Sequence, residues 1–205
     1  MKRHLFLGFL LGFFTVFFCS GVHAKSERLP APVPTACGKK IEVVELFWYG
    51  CPHCFELEPQ IEAWAKKLPS YACFRRVPAA FDEGWAPLAQ VYYAFDAMGV
   101  AEKWHKPFFD ATHKTWGRLP SFDMVKSFVR AQGGDEKLFV DTFNSFGVKE
   151  KVRQTIAYTK EVQAQGVPTL VIDGKVRLET ARGQGWDDFL EEARKTIEAE
   201  RAHRP

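Results

Sequence analysis

The sequence predicts an α/β protein in which a block of helices is inserted between two parts of one sheet. Three observations predict it. An apolar run from Ile41 to Phe47 precedes a segment with apolar residues at Cys54, Leu57, Ile61, Trp64 and Leu68, and a second short run, Phe74 to Val77, follows. That order reads as strand, helix, strand. Beyond Phe81 the pattern is helical until strand signals resume at Thr169 to Ile172 and Lys175 to Leu178, joined by the turn dipeptide Asp173-Gly174.

The chain of 205 residues opens with Lys2 and Arg3, an apolar run from Leu5 to Phe18, and the small residues of Ser20 to Ala24. This is the layout of a cleavable secretory signal peptide, and residues 1–24 are read as one. The run is shorter than the ~20 apolar residues that span a bilayer. Cys19 leaves with it. Lys25 to Ala36, with Pro30, Pro32 and Pro34 alternating with other residues, is expected to be an extended leader rather than packed structure.

Residues 25–80 then form the first part of the α/β unit. Strand Ile41 to Phe47 and strand Phe74 to Val77 are expected to lie parallel across the intervening helix, within which Pro59 removes one backbone hydrogen bond. Residues 81–150 are the helical insertion. Its expected helices are Trp85 to Met98, Ala101 to Lys114, Phe122 to Gln132 and Asp135 to Ser145, with Lys149 to Gln165 leading back into the sheet. Gly99, the Gly117 to Pro120 loop, Ser121 and Gly133-Gly134 supply stop and cap signals. Residues 151–205 complete the α/β unit with the hairpin and a last helix, Trp186 to Ala199, whose Phe189, Leu190 and Ile197 face inward.

Chemistry concentrates in Cys51-Pro52-His53-Cys54, at the corner between the first strand and its helix. A helix N-terminus offers unpaired N–H groups and the positive end of the macrodipole, so Cys51 is expected to be a stabilised thiolate. Cys54, three positions on, is within disulfide reach. Pro52 suits the first helical turn, where its missing N–H is harmless. His53 between the sulfurs lowers the thiol further by charge or hydrogen bonding. A closed zinc site wants four ligands, and no second Cys-x-x-Cys or paired His accompanies the motif, so no metal is expected.

Cys37 and Cys73 each precede one of the parallel strands, which places them near each other as a structural disulfide in an oxidising compartment. Net charge is +3, falling to about +1 when Lys2 and Arg3 leave. No Lys/Arg cluster interleaved with aromatics appears, which argues against a nucleic-acid partner.

Strand, Cys-x-x-Cys at a helix start, strand, helices, then Gly166-Val167-Pro168 before a hairpin and a last helix resembles the thioredoxin-like fold. With Cys51-Pro52-His53-Cys54 and the long helical insertion, the mature chain is similar to the periplasmic thiol:disulfide interchange proteins of the DsbA type. The resemblance implies that Cys51 forms mixed disulfides, Cys54 resolves them and His53 tunes the potential. It implies a cis Pro168, with the backbone of Gly166 and Val167 pairing with an extended substrate, and Glu45 as a proton relay candidate beneath the pair. Arg75 and Arg76 stand where the family often has a lysine partner for that acid. The implied partners are unfolded cysteine-containing exported proteins and a quinone-linked membrane reoxidant of the DsbB type. The chain is expected to be monomeric, periplasmic and without a bound cofactor.

The implied function is a dithiol oxidase that donates the Cys51–Cys54 disulfide through a mixed disulfide. An isomerase or reductase of the same fold, a non-catalytic periplasmic chaperone and metal transport through the cysteine pair are the alternatives.

Overall fold

A computed structural model describes residues 25–204; the expected signal peptide, with Cys19, lies outside them. The sheet has five strands in the order β1-β5-β4-β2-β3. Its central strand β2 (Ile41–Phe47) is buried along its whole length, its five apolar residues covered on both faces and its two glutamates, Glu42 and Glu45, buried with them. It pairs parallel with β3 (Ala72–Pro78) and antiparallel with β4 (Thr169–Ile172). Helix α1 (Pro52–Ala65) makes the crossover from β2 to β3, and its exposed Pro59 lies inside the helix. The strand β5 (Val176–Glu179) returns beside β4 through Asp173 and Gly174, both at positive φ.

One expectation is corrected here. The segment after residue 24 is packed structure at both ends of its proline run. Lys25–Arg28 forms β1, antiparallel to β5, and Val33 is buried with Val44, Leu46 and Val171. Pro30, Pro32 and Pro34 leave the backbone N–H of Leu29 and Val33 free to bond the hairpin carbonyls of Lys175 and Gly174, each at 2.8 Å. The prolines sit beside the paired positions, where a missing donor does no harm.

Side chains of β2 alternate between two faces. Ile41 and Val43 join Leu57 and Ile61 of α1 and Phe189 and Ile197 of α7 (Trp186–Ala202) in one core layer. Val44 and Leu46 enter the layer on the other face with Val162 and Val171. Glu45 therefore falls on the α1 face and Glu42 on the opposite one.

The helical block comprises α2 (Ala86–Ala97), α3 (Ala101–Asp110), α4 (Phe122–Ala131), α5 (Glu136–Asn144) and α6 (Phe146–Glu161). Phe95, Trp104, Phe108, Phe128 and Phe139 are buried together in a core that continues to Phe47, Tyr49 and Cys54. Two boundaries differ from the periodicity reading. The third helix ends at Asp110 and passes into a π-helical stretch, Ala111–Trp116, closed by Gly117 at positive φ. The sixth begins at Phe146, because the Ser145 hydroxyl accepts from the Val148 N–H as an N-cap. It stops at Glu161, before Gln163 turns to positive φ.

Candidate active site

Cys51 is the N-cap of α1, and its sulfur accepts a hydrogen bond from the Cys54 backbone N–H at 3.4 Å. The extended backbone at Cys51 and Pro52 at the first helical position produce this. Both cysteines carry free thiols. They differ sharply in environment, since Cys51 keeps 8 % of its surface and Cys54 none. The Cys51 thiol is lowered to about 7, first by the Cys54 side-chain hydrogen bond and, after an opposing effect of burial, by the Cys54 and His53 backbone N–H groups and the His53 charge. Burial, followed by the hydrogen bond to Cys51, pushes the Cys54 thiol well up. Cys51 is thus the sulfur that ionises and meets a partner. Iodoacetamide should alkylate it in reduced protein with a rate midpoint near pH 7, leaving Cys54 unmodified by mass; equal modification of both sulfurs would contradict the asymmetry.

His53 is exposed, with Nδ1 at 3.4 Å from Glu56 Oε2 and its ring 6.3 Å from that of Trp186. Across the pair, the Val167–Pro168 peptide is cis, and the Cys51 thiol donates to the Val167 carbonyl at 3.4 Å. Gly166 and Val167 are half-buried. The Gly166 carbonyl accepts from the Thr169 hydroxyl at 2.8 Å. The approach to Cys51 is braced by the Trp48 ring stacked on Trp85 with centroids 4.1 Å apart. A side chain at Gly50 would meet the Trp48 ring at 2.4 Å and would have to displace it from its place. Beside Cys51 lies a cavity of about 280 Å³ lined by Gly50, Pro52, Thr112, His113, Arg118 and Leu119. Leu119 is 53 % exposed on its rim.

Beneath the pair is a buried polar chain that the motif alone does not announce. Arg76 donates through Nε to Glu45 Oε2 at 3.2 Å and through Nη2 to Glu58 Oε1 at 2.9 Å. Register explains the first contact, because Glu45 and Arg76 are direct partners in the β2–β3 ladder. Glu58 stands one turn after Cys54, on the buried side of α1. Its Oε2 lies 3.2 Å from Nε2 of His105 on α3, and His105 Nδ1 lies 3.0 Å from the Tyr49 hydroxyl. Burial pushes the carboxyls of Glu45 and Glu58 up, against the pull of Arg76, and Glu45 the further. Burial and the Arg76 charge hold His105 well below the ordinary histidine value, so the ring is neutral.

Glu58, Arg76 as the shared cation, His105 and Tyr49 are the residues that sequence reasoning missed, together with His113. His113 bonds the Tyr49 carbonyl at 2.8 Å from the π-helical stretch and stacks on Phe55 with centroids 4.7 Å apart. A carboxylate and a histidine on otherwise apolar helix faces are the signals that point to two of them.

Cys37 and Cys73 form a disulfide, with Cα atoms 6.5 Å apart, at the end of β2 and β3 remote from Cys51. Glu42 beside it accepts from Arg75 Nε at 3.2 Å and from the Ala36 N–H at 2.9 Å.

The sequence family described as the DSBA-like thioredoxin domain matches residues 56–193. The chain belongs to this family. Over 212 residues it is 39% identical to a thiol:disulfide interchange protein DsbA of Azotobacter vinelandii, covering 98% of this chain and 99% of that protein. A DsbA of Burkholderia cepacia is 42% identical over 158 residues, covering 77% of this chain and 74% of the relative. The crystal structure of Pseudomonas aeruginosa DsbA superposes with a TM-score of 0.81 at 38% identity, over 87% of this chain and 93% of that one. The oxidoreductase DsbA from Xylella fastidiosa gives 0.80 at 31% identity, over 86% and 95%. The protein is a DsbA-like thiol:disulfide oxidoreductase of thioredoxin-like fold.

Proposed function

We propose that the chain acts as a dithiol oxidase of exported proteins, with Cys51 as nucleophile and leaving group and Cys54 as the buried partner. The observation that carries this is the asymmetry of the two thiols, one lowered to about 7 at a helix N-terminus and the other raised by complete burial. A substrate thiolate attacks Cys51 Sγ and breaks the Cys51–Cys54 bond. Cys54 leaves as a thiolate and takes up a proton, and Glu45 in its protonated form is the proposed donor. A second substrate thiolate attacks the substrate sulfur of the mixed disulfide and expels Cys51 as a stable thiolate. The substrate leaves with a disulfide, and its two electrons remain on the enzyme's cysteines.

Direction follows from that leaving group, since stabilising the Cys51 thiolate stabilises the reduced form and makes the disulfide oxidising. The carbonyl of Val167, with Gly166 and cis Pro168 behind it, supports pairing with an extended substrate segment. His53, exposed beside the sulfur, is the proposed tuner of the potential. The basic and apolar start of the sequence supports periplasmic export. Reoxidation by a quinone-linked membrane protein of the DsbB type and action as a monomer complete the reading.

Equilibration of Cys51–Cys54 with glutathione buffers, followed by tryptophan fluorescence, tests it. The expected potential is more oxidising than glutathione, with the reduced form more resistant to denaturant. Because the Cys51 thiol is lowered in the folded state from 9.0 to about 7, its stabilisation of the reduced form is present above pH 9 and lost as pH falls through 7. A potential below glutathione, with the oxidised form the more stable, would make the protein a reductase or isomerase. Undiminished protection of unfolded substrate by Cys51→Ser would favour a chaperone.

A further inference from the structure

Two carboxyls and one guanidinium share the space under α1, so one negative charge is uncompensated when both acids ionise. Glu45 is 1 % exposed and Glu58 2 %, and charge in such surroundings is neutralised by a proton. The question is which acid holds that proton. Resting on the proposal that Glu45 protonates Cys54, we infer that His105 is a positioning residue that fixes this proton on Glu45 by holding Glu58 ionised.

The hydrogen-bond chain decides it. His105 is neutral and carries one ring hydrogen. With the hydrogen on Nε2, the ring donates to Glu58 Oε2 and Nδ1 accepts from the Tyr49 hydroxyl, so Tyr49, both ring nitrogens and Glu58 Oε2 are satisfied by the contacts at 3.2 and 3.0 Å. With the hydrogen on Nδ1, Glu58 would have to be protonated to donate to Nε2, and the Tyr49 hydrogen would be left buried beside an occupied donor. Tyr49 is fully buried, and an orphaned buried donor forfeits its hydration with nothing in return. The first arrangement gives Glu58 two donors, Arg76 Nη2 and His105 Nε2, and keeps it a carboxylate. Glu45 has only Arg76 Nε on Oε2, and its Oε1 is buried without a partner. The proton therefore resides on Glu45, whose ionised form raises the Cys54 thiol.

The remaining charged or titratable neighbours do not reverse this order. Glu62 and Glu102 act on Glu58 and raise it, and both attract a proton toward His105 against Arg76 and burial. Tyr92 and Glu102 act on Arg76. Glu45 faces only Arg76, Glu58 and Cys54 among the groups that affect it or that it affects. Through His105, α3 of the helical block sets the protonation of a strand residue of the sheet.

The test uses mature protein labelled with ¹³Cδ-glutamate, with the Glu45 and Glu58 resonances assigned from Glu45→Gln and Glu58→Gln. His105→Leu should move the proton to Glu58 and lower the Glu45 midpoint by about one pH unit, a tenfold change in its proton equilibrium. His105→Gln, which retains an N–H toward Glu58, should stay close to the parent. Tyr49→Phe, which removes one hydroxyl and is the milder variant should His105→Leu not fold, should shift Glu45 in the same direction. The rate at which a cysteine peptide reduces the Cys51–Cys54 disulfide, divided by the peptide's thiolate fraction, should lose its high-pH limb at correspondingly lower pH. A folded His105→Leu or Tyr49→Phe protein with an unmoved Glu45 titration overturns the inference. A moved titration with an unmoved rate profile upholds it and overturns Glu45 as the proton donor.

Discussion

Arg76→Met should destabilise the protein by about 3–5 kcal/mol at pH 8, the penalty typical of removing one partner from a buried ion pair. The loss should shrink as the pH is lowered toward 5. Arg76 is the only cation within hydrogen-bonding distance of either Glu45 or Glu58 among the described residues, and its side chain is 7% exposed. Methionine fills much of the same volume but leaves both carboxyls in an apolar layer. The sign of the pH dependence follows from the direction of their shifts. Both acids have folded values raised above the ordinary glutamate value of 4.5, so the folded state binds protons that the unfolded state has released. Stability from this source is fully present below 4.5 and is lost as pH rises through the folded values. Without Arg76 those folded values move further up, which widens the window of loss. Urea unfolding of the reduced parent and variant at pH 5 and pH 8 measures it. A pH-independent difference would mean that Arg76 acts through packing against Phe74, 5.2 Å from its guanidinium carbon, rather than through charge.

How much of this site was legible in the sequence depends on whether its chemistry is local. Cys51, Pro52 and Cys54 occupy adjacent positions on one helix start, so capping, dipole and spacing suffice to predict their arrangement. The parallel placement of β2 and β3 followed from one crossover helix. The polar chain was hidden because, apart from Glu45 on β2, its members come from three further elements and a loop. Tyr49 lies in the loop after β2, Glu58 on α1, Arg76 on β3 and His105 on α3. Only tertiary packing brings them together. Even so, Glu58 follows Leu57 on the buried face of α1, and His105 follows Trp104 and precedes Phe108 on that of α3. Ionisable groups inside apolar stripes imply partners, though periodicity does not name them. The same reason explains β1. A four-residue polar strand, exposed at every position, carries no hydrophobic period, and its pairing with β5 is a backbone matter that side-chain patterns do not encode.

The second large expected effect concerns the disulfide that takes no part in the chemistry. Cys37→Ala/Cys73→Ala should lose about 4 kcal/mol of stability, from the loop-closure entropy of a 36-residue separation. Thiol exchange at Cys51 should proceed at the parent rate. The two outcomes are coupled to geometry. Cys37 precedes β2 and Cys73 lies at the start of β3, whereas Cys51 follows the other end of β2, so the bridge ties the ends of the parallel pair that are remote from the redox site. Glu42 and Arg75, which pair beside it, lie on the face of the sheet opposite Glu45 and Arg76, and the alternation of side chains along β2 and β3 separates the two ion pairs. Chemical denaturation of the double variant, with Cys51 and Cys54 held reduced, isolates the structural term. Its midpoint should fall while the pH midpoint for Cys51 alkylation stays near 7. A shift of that alkylation midpoint would show that the remote bridge controls the helix start as well as the fold, and β2, with both its faces buried, is the element that joins the two.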